Sequence, residues 1–99
     1  MTHTIRIIDK FGSFLSDGER GNQFRFCELE PAVSKRELVI LDFEGVTNMT
    51  DSFANACFGH FFRHMDFQID GKVVFKNCTP TIKSFIGSAW NFAQKQAIH

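Results

Sequence analysis

The sharpest change of pattern along the chain falls between Leu38 and Arg63, in LVILDFEGVTNMTDSFANACFGHFFR. Leu38, Val39, Ile40 and Leu41 form a short unbroken apolar run, which predicts a central parallel strand covered on both faces, extending to Phe43. Asp42 to Thr50 carries turn chemistry in Gly45, Asn48 and two acids. From Phe53 the apolar period becomes helical and predicts a helix from Ser52 to about Met65. At ~100° per residue, Phe53, Ala54, Cys57, Phe58, Phe61, Phe62 and Met65 share one wide apolar face. Asp51, Ser52, Asn55, Gly59 and Arg63 fall opposite, as an exposed strip, with His60 and His64 at the boundary.

The flanking segments are read in the same way. Thr4 to Asp9 alternates weakly and predicts a first strand; Phe11 to Gly21, rich in Gly and Ser, predicts a loop. Asn22 to about Glu30 fits a short helix with Phe24, Cys27 and either Glu28 or Leu29 inward, ended or bent by Pro31, although the alternation of Phe24 and Phe26 also fits a strand. After the turn Asp70-Gly71, Lys72 to Lys76 predicts a third strand. Thr79-Pro80 then pairs an N-cap residue with proline at the first helical position. The helix that follows places Ile82, Phe85, Ile86, Ala89 and Ala93 on one face. Strands alternating with helices predict a single α/β domain over residues 1–99, with a mostly parallel or mixed sheet and helices packed on it.

Charge narrows the function classes. Eleven basic and eleven acidic residues cancel, which argues against a nucleic-acid or anionic-membrane surface. No apolar run approaches ~18 residues, and the first residues lack the pattern of a signal peptide. Cys27, Cys57 and Cys78 are odd in number and widely spaced, so a reducing cytoplasm is the expected compartment. Thirteen Phe are many for a core of this size, so some of them are expected at the surface or at an interface, a homodimer included.

The candidate chemistry is sparse. Ser52 opens a helix, and the plain expectation for it is an N-cap. Cys57, His60 and His64 stand at i, i+3 and i+7 on one side of that helix, a spacing reminiscent of metal ligands, but a fourth ligand is not evident and no metal or other cofactor is expected. Asp42 and Glu44 end the central strand, where catalytic acids often sit, yet no nucleophile, base and orienting acid stand at a recognised spacing. Arg25 and Arg63 are expected in surface salt bridges or on a partner's acidic or phosphate group.

Three motifs in order carry a resemblance: Gly21-Asn22-Gln23-Phe24-Arg25, then VILDFEGV from Val39 to Val46, then Ser52-Phe53 with Phe58-Gly59. They are similar to the GxxFR, VxxDFxGV and SFxxxxFG pattern of the STAS-like domains of unknown function (DUF4325), and more distantly to the STAS domains of bacterial anti-sigma-factor antagonists. GKVVFKNCTPTIKSFI resembles the last strand and helix of STAS domains, so the likeness runs from Gly18 to about Gly87. It implies a bacterial, cytoplasmic regulatory module that docks on a histidine-kinase-like ATPase and is not an enzyme. In the antagonists a serine at this helix start is phosphorylated by the partner kinase, and a gapless match puts it at Ser52, with Thr50 where the antagonists have aspartate.

The expectation is therefore a non-catalytic interaction domain whose partner-binding residues are Asp51, Ser52, Asn55, Gly59 and Arg63. The alternative is a small hydrolase or metal-binding protein using Cys57, His60, His64 and the Asp42–Glu44 loop.

Overall fold

A computed structural model describes residues 2–35 and 38–97. Three strands, β1 (Thr2–Arg6), β3 (Leu38–Asp42) and β5 (Val73–Lys76), pair in parallel in the order β1-β3-β5. Two further short strands, β2 (Phe14–Leu15) and β4 (Asn48–Met49), form a separate parallel pair. The α/β class and the central place of the Leu38 strand agree with the sequence pattern.

The covering of that strand does not. Val39 and Leu41 are sealed, whereas Leu38 and Ile40 are only half-buried and Val74, in register with Ile40, is exposed. Helices cover one face of the sheet, where Ile5, Val39, Leu41 and Val73 point inward. An apolar run of four is shared by one-sided and two-sided strands, and the number of layers is decided by where the helices land.

The first strand ends at Arg6, opposite Asp42, and Ile7–Phe11 winds into a short helix, α1, rather than extending the strand to Asp9. Paired β-branched residues are poor helix formers, so contacts hold it there. Ile7 is buried, and the Phe11 ring meets Phe24 and Phe53 edge-on at 5.5 and 5.1 Å. The Arg20 guanidinium lies 5.1 Å over Phe11, and Lys10 pairs with Glu28 at 2.6 Å.

Two of the remaining helices each contain one widened turn. The first, α2, joins Gly18–Phe24, a π-helical turn Arg25–Leu29, and Glu30–Ser34. It thus runs through Pro31 and takes in part of the segment expected as loop. Proline in a helix interior lacks the N–H and its ring collides with the carbonyl four residues back. The turn just before Pro31 is widened, the Glu30 N–H reaching back five residues to the Arg25 carbonyl, which shifts the register and lets the helix continue. The second, α3, joins Asp51–Ala54, a π-helical turn Asn55–Gly59 and His60–His64.

The last helix, α4 (Pro80–Ala97), is capped by Thr79, whose Oγ1 accepts from the Ile82 N–H at 3.2 Å. The core lies between the sheet and these helices, with Phe43, Phe53, Phe58, Phe61 and Phe62 among its largest sealed side chains. Phe14, Phe26 and Phe92 are exposed, on β2, α2 and α4. No helix among the described residues is long and apolar enough to cross a membrane.

Candidate functional site

The starts of α2 and α3 meet. Asp17 caps α2, its carboxylate accepting from the N–H groups of Glu19 and Arg20. Thr50 caps α3, its Oγ1 accepting from the Phe53 N–H at 3.1 Å while its hydroxyl donates to the Ser16 carbonyl at 3.3 Å. The cap expected of Ser52 therefore belongs to Thr50. The register of the cap follows from β4, which delivers Thr50 in extended conformation beside β2, its N–H on the Leu15 carbonyl at 2.9 Å. Ser52 is left two residues past the cap, within the first turn, and exposed. A methyl group added at Gly18 would stand 2.7 Å from Ser52 Oγ, so glycine is what lets the two helix starts touch.

The expected exposed strip on α3 is interrupted. Asp51, Ser52 and Arg63 are exposed, Asn55 is half-buried, and Gly59 is buried. A Cβ built at Gly59 would lie 3.6 Å from the Ala89 carbonyl of α4. Gly59 thus seats one helix on another and cannot meet a partner in this fold. Arg63 reaches the same helix, donating to Gln96 Oε1 at 3.0 Å. The hydrophobic period of α3 marks its face toward the sheet; only the docking of α4, through small residues, shows that the opposite side is covered as well.

Arg25 holds α2 to α3. Its Nε donates to the Ala56 carbonyl at 3.2 Å, inside the widened turn of α3, and its Nη1 pairs with Glu30 at 2.8 Å. Its Nη2 also donates to Asn22 Oδ1. Both partners of the Arg25–Glu30 pair are largely buried. Gly21 packs so closely that an added Cβ would stand 3.0 Å from the Phe53 ring and 3.3 Å from Cys57. The fixed positions of the GxxFR segment are thereby accounted for: Gly21 and Phe24 pack, and Arg25 ties two helices together. A surface salt bridge or a contact to a partner's acidic or phosphate group is the expectation for Arg25; neither its burial nor its backbone acceptor is visible in a spacing.

The alternative constellation is not assembled. Cys57 is sealed, and burial pushes its thiol far above the ordinary range. His60 and His64 are exposed. Burial of part of the ring, then the charges of Arg25 and Arg63, lower the pKa of His60 against the opposing pull of Glu30. Asp42 organises its own loop: its Oδ1 accepts from Asn77 Nδ2 at 2.9 Å and from the Glu44 N–H at 3.0 Å, and these bonds lower its pKa. Among the described residues no three His, Cys, Asp or Glu side chains lie within reach of one metal ion.

What the arrangement offers is thus a surface where two capped helix starts converge, with an exposed serine on it and a bridged helix pair behind it. No curated protein and no solved structure is significantly similar to the chain. The family model described as a STAS-like domain of unknown function (DUF4325) matches residues 20–83, which takes in all three motifs, and the chain belongs to this family.

Proposed function

We propose that this STAS-like domain is a protein-interaction module without chemistry of its own, docking on a histidine-kinase-like ATPase through the start of α3, with Asp51 and Ser52 at the centre and Asn55 and Arg63 at the edge. The observation that carries the reading is the division of labour at the helix start: Thr50 caps the helix, so the exposed Ser52 hydroxyl has no structural duty there. A residue free of such duty can be modified without unfolding what it sits on. A phosphate on Ser52 would stand at the positive end of α3, where negative charge is tolerated or favourable, and would add roughly −1.5 to −2 charges beside Asp51. Contact with an apolar or acidic partner surface would then be released, and the family resemblance supplies the kind of partner.

The test is incubation of the domain with a histidine-kinase-like ATPase from its own source cells, with site mapping of any phosphate and calorimetric titration of wild type, Ser52→Ala and Ser52→Asp. Ser52→Asp is expected to weaken association by ~1–3 kcal/mol while Ser52→Ala leaves it intact. Equal affinities for all three would reduce Ser52 to a bystander.

A further inference from the structure

Between β5, the end of α3 and α4 runs an open groove of ≈ 410 Å³, within the roughly 300–1,000 Å³ of small-molecule sites. Its walls are the half-buried Phe75, Trp90, Ile69 and Ile86, the sealed Phe62 contributing almost no surface. Gly87, exposed on α4, is part of the lining, and a Cβ placed there would meet no atom within 4 Å. A turn in the left-handed region packs on one of these residues. Asp66 and Phe67 are consecutive non-glycine residues with φ of 51° and 60°, a conformation that L-residues rarely adopt. The turn they make, closed by the Phe67 N–H on the Phe62 carbonyl at 2.9 Å, sets the Phe67 ring edge-on to Trp90 at 5.0 Å.

The polar content of the groove is small. Lys83 is the one charged residue in the lining; it is exposed, and among the described residues it takes part in no ion pair. Cys78 stands at the same mouth, close enough for the Lys83 charge to act on its thiol. An extended peptide laid here would find few polar partners for its backbone, and a sugar or nucleotide would meet one cation among otherwise apolar side chains. An alkyl chain needs no polar partner beyond its head group.

We propose that this groove binds a free medium-chain fatty carboxylate, the chain lying along Phe75, Ile86 and Trp90 and the carboxylate pairing with Lys83. The site shares no residue with the surface around Ser52 and stands or falls separately from it. Trp90 is the only tryptophan of the chain and lines the groove, so its emission reports occupancy. The experiment titrates the full chain with decanoate below its micelle concentration, with decanol and decyltrimethylammonium alongside, for wild type, Lys83→Gln and Gly87→Leu.

The expected result is a saturable change with decanoate. Lys83→Gln should weaken it about five-fold and leave decanol within two-fold. Gly87→Leu, which fills the groove from an exposed helix position, should abolish binding without lowering the melting temperature. A change that never saturates, equal affinity for decyltrimethylammonium, or a decanoate affinity that neither variant moves would overturn the proposal. Should Gly87→Leu fail to fold, the Lys83→Gln comparison of decanoate with decanol decides alone.

Discussion

Arg25 and Ala56 join two widened helical turns: Arg25 is the first residue of the π-helical turn of α2, and its Nε donates to the Ala56 carbonyl inside the π-helical turn of α3. A widened turn leaves carbonyls poorly directed along the helix axis, and a guanidinium can satisfy one from outside while its other nitrogens pair with Glu30 and Asn22. Arg25→Ala should therefore destabilise the domain by about 2 kcal/mol, because Glu30 is left largely buried without its cation. Arg25→Lys, with a point charge instead of a fork, should recover less than half of that. Urea denaturation measures both; a loss below about 0.5 kcal/mol for Arg25→Ala would place the bridge among inconsequential surface pairs.

The cap of α3 separates two neighbouring hydroxyls. Thr50→Ala should cost about 1 kcal/mol, since it removes the acceptor for the Phe53 N–H. Ser52→Ala should fall within about 0.5 kcal/mol of wild type. Equilibrium unfolding of the two variants side by side checks the assignment, and a reversed order would return the cap to Ser52.

Glycines on α2 and α3 should respond in opposite directions to the same change. Gly59→Ala places its methyl 3.6 Å from the Ala89 carbonyl, an ordinary contact, and gains up to ~1 kcal/mol of helix propensity. Gly21→Ala drives a methyl to 3.0 Å from the sealed Phe53 ring and should lose ~1–3 kcal/mol. Gly59→Leu should likewise be destabilising, because the residue faces α4 and not solvent. Melting temperatures of the three variants test the packing of all three helices.

Acid should weaken the fold through His60 before it does so through Asp42. Burial and the charges of Arg25 and Arg63 hold the folded His60 below its ordinary 6.5, so the unfolded chain binds the more protons on acidification. This contribution is complete above about pH 7 and is lost as pH falls through the lowered pKa. Asp42, also lowered, has the same sign, its contribution being lost only below its ordinary 3.8. Denaturant midpoints at about pH 7.5 and 5.5 should differ less in His60→Gln than in wild type; identical slopes would remove His60 from the pH response.

The cysteines should react in order of access. Cys27 is exposed and is expected to label at once in the native state, Cys78 slowly because partial burial raises its thiol, and Cys57 only on unfolding. Mass spectrometry of alkylated protein over time resolves the order, and early labelling of Cys57 would mean that α2 and α3 separate readily.

By itself the sequence determined the class, the order of the three paired strands β1, β3 and β5, and the helices that follow β3 and β5, but not α1 or the β2–β4 pair. The run around Leu38, the helical period from Phe53 to Phe62, the Thr79-Pro80 start of α4 and the three motifs of the family are local signals, and each survives folding because hydrophobic period and capping act over a few residues. What those signals could not carry was which faces are left over. Ile40 looks as apolar as Leu41, yet one lies on the helix side and the other on the open side of the sheet. Gly59 looks like part of a polar strip until α4 lies across it. Thr50 rather than Ser52 became the cap because β4 pairs with β2, a contact thirty-four residues apart in the chain for the Thr50 to Ser16 hydrogen bond. Arg25 became a bridge because two helices widen side by side. Side-chain period reports the face an element turns to its first neighbour, whereas second neighbours, helix register and long-range hydrogen bonds exist only once the elements are packed.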